Sequence, residues 1–168
     1  MRQPLPLYLY IFVFFGLVVA NVSIYTAVFA QPVLEVRVFT IGKGNAALVR
    51  TPDSKTLLVD TGSDASILRA LGGALPVWKR KIDTVLLTSA DAKSKGGLPS
   101  LTDRYRVSAT KQFGVPELPY GTPVGFDTVR VTVAAPHVFT VSYGQTSLSI
   151  SSTTPEGVYR SDGTAIKQ

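Results

Sequence analysis

The chain has 168 residues, a single His, no Cys, and 17 Lys plus Arg against 11 Asp plus Glu. That length accommodates one globular domain and a targeting element, and the missing cysteines exclude a disulfide framework, a thiolate metal site and a cysteine nucleophile. One histidine cannot build a histidine-rich metal centre, and a net charge of +6 suits an anionic partner as well as ordinary solubility.

From Leu5 to Ala30 no side chain carries a charge. At helical rise such a stretch reaches about 39 Å, against a hydrocarbon core of about 30 Å. Tyr8 and Tyr10 near one end and Tyr25 near the other suit the membrane–water interface. Residues 1–30 are therefore expected to form a signal anchor, a transmembrane helix, with residues 31–168 as the domain it carries. Val28-Phe29-Ala30 before Gln31-Pro32 also reads as a cleavage site, but the stretch is longer than a signal-peptide core.

Val33 to Ile41 alternates apolar and polar positions, as a half-buried strand does. Gly42-Lys43-Gly44-Asn45 turns it into a second strand, Ala46 to Arg50. Gly42-Lys43-Gly44 lacks the rest of a phosphate loop, so a hairpin needing positive φ is the better reading. Pro52-Asp53-Ser54 turns again into a strand from Thr56 to Asp60, followed by Thr61-Gly62. Ser63 or Asp64 caps a helix with Ile67, Leu68 and Leu71 on one face, and Gly72-Gly73 is expected to stop it. Ala74 to Lys81 is a connection with Trp78 as its large anchor and Lys79-Arg80-Lys81 as a basic cluster.

Ile82 to Thr88 is a buried strand, and the polar loop Ser89 to Lys95 at its C-terminal end occupies the usual place of ligands in α/β proteins. Gly96-Gly97 then opens a short helix at Leu98, and Arg106 to Thr110 is a weak strand. Gly114 to Gly125 reads as loop. Thr128 to Val133, His137 to Tyr143 and Thr146 to Ser151 are strands, the last two joined by Gly144-Gln145. His137 has no partner nearby in sequence and reads as an ordinary strand-edge residue.

Three of these stretches, in order, resemble the metallo-β-lactamase superfamily, and more narrowly the β-lactamase-like domain of ComEC-type competence (DNA uptake) proteins. Phe39-Thr40-Ile41-Gly42-Lys43-Gly44-Asn45-Ala46 stands where that domain has approximately Leu-Asp-Val-Gly-Gln-Gly-Asp-Ala, and Leu57-Leu58-Val59-Asp60-Thr61-Gly62 resembles its Leu-Ile-Asp-Thr-Gly. Thr88 to Gly97 resembles the metal loop, Thr-His-x-Asp-x-Asp-His-x-Gly-Gly. Val158 to Ile166 resembles the closing strand, and much of the family's second half is missing between.

The resemblance implies a truncated αββα sandwich of mostly mixed and antiparallel sheet, standing outside the cytoplasm. It also marks a vestigial site at Asp60, Ser89, Asp91, Lys93, Ser94 and Ser152. Ser89 and Ser94 replace the two His, Lys93 replaces the second Asp, and Ser151-Ser152 replaces the Gly-Asp whose Asp bridges the metals. Hydroxyls and an ammonium are poor ligands for such metals, so no catalytic residue, no metal and no cofactor is expected. Lys93 is the candidate to neutralise Asp60 and Asp91 in place of a metal. A Ser-His-Asp arrangement of Ser89 or Ser94 with His137 lacks any sequence support.

Two non-enzymatic readings remain beside that of a metal-dependent hydrolase or nuclease. One is a membrane-anchored binding or accessory module, with Lys79, Arg80, Lys81, Lys93 and Lys95 near the cleft mouth offering an anion site for single-stranded DNA or another anionic ligand. The other is a structural subunit that pairs with a membrane channel protein or with itself, because a truncated sandwich is expected to leave apolar sheet uncovered.

Overall fold

The computed structural model describes residues 7–28, 33–126 and 128–168, and the chain forms two units, Met1–Gln31 and Pro32–Gln168. The first contains helix α1 (Leu7–Val28), whose described side chains, Tyr8 to Val22, are apolar but for Asn21 and stand exposed on all sides. Those side chains cover about 22 Å of helix, and among the described residues no helix is long and apolar enough to cross a membrane. The expected transmembrane span thus extends onto side chains outside the described residues.

Among the described residues of the second unit, eleven strands and three helices follow: β1 (Leu34–Ile41), β2 (Gly44–Arg50), β3 (Thr56–Val59), α2 (Ile67–Ala74), β4 (Lys81–Leu87), α3 (Ala92–Lys95), α4 (Leu98–Arg104), β5 (Arg106–Gln112), β6 (Pro123–Phe126), β7 (Val129–Ala135), β8 (Val138–Tyr143), β9 (Thr146–Ile150), β10 (Gly157–Ser161) and β11 (Ile166–Lys167). One seven-stranded sheet runs β11-β10-β1-β2-β3-β4-β5, and a four-stranded sheet runs β6-β7-β8-β9. Pairing is antiparallel except between β3 and β4 and between β4 and β5.

The period-2 alternation along β1 and β2 sorts two cores. Val36, Val38, Ala47, Val49, Leu57, Val59 and Leu86 face the small sheet, meeting Val131, Val133, Phe139, Val141 and Ile150. Ala46, Leu48, Leu58, Val85 and Leu87 face the other way, against Ile67, Leu71 and Leu101 of the helices. The unit is therefore a helix layer on a sheet on a second sheet.

Four sequence expectations change. Gly72-Gly73 does not stop α2, which runs to Ala74 with both glycines exposed and nothing within 4 Å of where a Cβ would stand. The Gly114–Gly125 loop contains most of β6. Trp78 anchors nothing: it is 85% exposed. The truncation also leaves no bare apolar face on the small sheet. Most of its described outward positions, Arg130, Thr132, Thr140, Ser142, Ser147 and Ser149 among them, are polar, so the αββα expectation loses its outer helix layer without needing a substitute.

Candidate functional site

β3 and β4 run parallel, so their C-terminal ends finish side by side. Asp60 follows β3 and Thr88-Ser89 follows β4, while the Asp60 amide extends the ladder by donating to the Leu86 carbonyl at 2.8 Å. The backbone of Asp60 then turns to φ 57°, a left-handed conformation that Asp adopts more readily than most residues. This turn aims its carboxylate into the protein, where it is 3% exposed as a residue.

That carboxylate accepts from the Thr88 amide and the Thr88 hydroxyl, both at 2.7 Å. Burial pushes Asp60 up to about 6, against the opposing pull of the Thr88 bonds, Ser94 and His137. Beyond β4 the loop closes on itself through α3. Asp91 caps α3 by accepting from the Ser94 amide at 2.9 Å, and its own amide donates to Ser89 Oγ at 3.3 Å. Ser94 Oγ lies 3.2 Å from both Thr88 Oγ1 and Ser89 Oγ.

Gly96 and Gly97 allow this loop to press against the end of β3. A Cβ on Gly97 would stand 2.5 Å from the Thr61 carbonyl oxygen and 2.8 Å from that of Asp64. In turn the Ser94 carbonyl accepts from the Thr61 amide at 2.8 Å and from the Thr61 hydroxyl at 2.9 Å. The glycine pair is thus explained by close backbone approach.

The sixth participant comes from the other sheet. His137, in the turn between β7 and β8, has φ 59° and its amide donates to Thr88 Oγ1 at 3.0 Å. Its Nε2 pairs with Asp91 Oδ2 at 2.9 Å, and its Nδ1 lies 3.3 Å from Ser94 Oγ and 3.8 Å from Asp60 Oδ2. The imidazole sits between the two carboxylates and ties the two sheets together. Burial alone would raise Asp91, but bonds from Ser89, the Ser94 amide and His137 hold it below the usual carboxylate range.

This corrects the strand-edge reading of His137, and with it the role assigned to Lys93. Lys93 is exposed and forms no ion pair with Asp60 or Asp91 among the described residues; the imidazole of His137 stands between them instead. Of the six vestigial positions, Asp60, Ser89, Asp91 and Ser94 assemble. Ser152 stands aside, exposed, its carbonyl accepting from Asn45 Nδ2 at 3.2 Å. The basic set also divides. Lys93 and Lys95 lie on α3 beside the site. Lys79, Arg80 and Lys81 lie at the opposite end of β4, about 20 Å away at strand rise. No sequence signal links His137 to Asp60 or Asp91, since only the facing of the two sheets brings them together.

The residues present do not fit the metal that the resemblance implies. The two ring nitrogens of His137 point at different partners, and among the described residues no three His, Cys, Asp or Glu side chains gather to hold an ion. The cavity beside them, lined by Asn45, Asp60, His137, Phe139 and Ser151, is about 10 Å³, room for at most one water. The connectivity Ser94–His137–Asp91 copies a Ser-His-Asp triad on paper. Yet Ser94 is 0% exposed and ringed by Thr88 and Ser89, so its hydroxyl has no approach for a substrate. Among the described residues every buried side-chain nitrogen and oxygen has a partner.

No family model and no curated protein sequence matches the chain. Solved structures with a similar course include a metallo-β-lactamase from Hirschia baltica, with 14% identity over 67% of this chain and 63% of that one and a TM-score of 0.44. A metallo-β-lactamase with a HARLDQ motif from Cronobacter sakazakii shows 18% identity over 71% and 64%, with a TM-score of 0.46. The Rm3 metallo-β-lactamase shows 20% identity over 68% and 59%, with a TM-score of 0.46. The chain spans less than two thirds of the length of each.

Proposed function

We propose that this chain is a non-catalytic module of metallo-β-lactamase-like design, tethered to a membrane by its N-terminal apolar helix, in which a hydrogen-bonded cluster replaces the metal centre. One observation carries the reading: the imidazole of His137 fills the space between Asp60 and Asp91, over a Ser94 that solvent does not reach. A satisfied, closed polar cluster fixes strand ends and specifies packing, whereas turnover needs an open position for substrate. The order of its motifs, shared with ComEC-type domains, supports an accessory role beside a DNA-uptake channel on the extracytoplasmic side. The subunit reading is weaker, because the outer face of the small sheet is mostly polar and asks for no cover.

The test is metal content and metal response of the purified full chain in detergent. Elemental analysis after dialysis should find far less than one equivalent of Zn, Mn or Fe, and added Zn²⁺ should leave the thermal midpoint unchanged. A tightly held equivalent, or a midpoint that climbs with Zn²⁺ and loses that rise in Asp60→Asn, would sink the reading.

A further inference from the structure

The connection between α2 and β4 is a tight turn, closed by the Lys79 amide donating to the Pro76 carbonyl at 2.9 Å. Val77 and Trp78 are its two central residues, positions that usually go to Gly, Asn, Asp or Ser. Here both are apolar, and they stand 78% and 85% exposed. The turn is braced rather than loose: Arg80 Nε donates back to the Val77 carbonyl at 3.2 Å, and Lys79 Nζ donates to the Ser54 carbonyl at 2.8 Å.

Beside this tip lies a groove of about 350 Å³ whose walls include Leu68, Leu75 and Pro76 and three guanidinium groups, Arg69 from α2, Arg80 from the turn and Arg104 from α4. Among the described residues none of the three arginines has a carboxylate within ion-pair distance. Two raised apolar side chains next to three arginines without an ion-pair partner among the described residues form a surface with a definite chemical complement.

We propose that the Val77–Trp78 turn and the Arg69–Arg80–Arg104 groove dock onto an anionic lipid surface. Valine and tryptophan enter the headgroup boundary while the arginines take phosphate oxygens. Tryptophan favours that boundary because its ring is apolar and its N–H is polar. Guanidinium forks match phosphate geometry, and basic side chains near an anionic leaflet are drawn to it. A nucleic-acid strand would use the tryptophan face and the arginines, but it offers nothing to the exposed valine beside them. The inference rests on the membrane-tethered reading, since a tether supplies the high local concentration that so few contacts need.

Trp78 is the only tryptophan in the chain, so its fluorescence reports this site alone. The full chain is reconstituted into vesicles of phosphatidylcholine, with or without phosphatidylglycerol, and flotation is measured on the same samples. With phosphatidylglycerol, Trp78 emission should move to the blue, acrylamide quenching should fall severalfold and brominated lipid should begin to quench. The exposed double variant Arg69→Ser/Arg104→Ser should keep its far-UV circular dichroism and lose that protection, and Val77→Ser should reduce it. Equal quenching in both vesicles overturns the proposal. So does equal protection from an oligonucleotide or inorganic phosphate added to phosphatidylcholine vesicles. Protein that floats yet keeps Trp78 open refutes docking alone; protein that fails to float refutes the tether and docking with it.

Discussion

Asp60 and His137 both hold left-handed backbone conformations, at φ 57° and 59°, and both are fixed there by bonds to Thr88. Thr88 is thus the hub, receiving the backbone of one sheet and addressing the carboxylate of the other. The Asp60 carboxyl is raised from 3.8 to about 6, chiefly by burial. The sign follows directly. Between those values the folded protein keeps a proton that the unfolded chain has lost, so stability from this group falls as pH rises from about 4 to about 6. The full difference amounts to about 3 kcal/mol. Asp60→Asn keeps the shape and an acceptor for the Thr88 amide while removing the titration. Denaturation in urea from pH 4 to 7 should show a decline in the wild type over that window which the variant lacks. Parallel curves would mean that Asp60 is ionised throughout, and its burial would then need another compensating charge.

At the scale of elements, the chain carries two Gly-Gly pairs with opposite roles. Gly72 lies on the exposed face of α2 with nothing within 4 Å of its missing Cβ, so Gly72→Ala should stabilise by about 0.5–1 kcal/mol. Gly97 faces two carbonyl oxygens and Ile67 Cγ2 at 2.5–2.9 Å, so Gly97→Ala should cost about 1–3 kcal/mol by overpacking. Opposite shifts in the urea midpoint are the expected result; equal shifts would show that the loop over β3 relaxes freely. The sequence alone read Gly72-Gly73 as a helix stop because propensity is local, whereas α2 is held by Ile67 and Leu71 in the core. Strands with clean alternation, β1 and β7, were legible for the converse reason: burial on one face writes period 2 into the residues themselves. β6 was not, since Pro123 and Gly125 carry turn chemistry in a strand that pairs only with β7. In the site, Asp60, Ser89, Asp91 and Ser94 were legible only through the resemblance of their motifs to the family's metal loop and Asp-Thr-Gly turn. His137 was not, because its partners lie 43 or more positions away and belong to another sheet.

At the scale of the whole molecule, the domain buries its apolar side chains while the described ones of α1 stand exposed. Among the described residues, both hydrophobic cores of the domain are built from residues 34–159. In α1, Tyr8, Phe12, Phe14 and Phe15 are each 66–76% exposed, and its apolar side chains surround the axis rather than forming one stripe. A helix apolar on every side has no aqueous face to offer and belongs in a protein core or in lipid. The described side chains fall short of a span, but Leu7 and residues 23–30 on either side of them are uncharged, which lengthens the apolar stretch in the direction a bilayer requires. Full-length protein should therefore stay in the membrane pellet through high salt and alkaline washing, because screening acts on surface charge and not on buried hydrocarbon. The Arg69→Ser/Arg104→Ser variant should pellet equally if, as proposed, its arginines orient the domain and do not hold it. Release by salt alone would assign the attachment to those arginines. A mature N-terminus at Gln31, read by sequencing of the membrane-free fraction, would instead mean that the helix is a leader and that the domain works untethered.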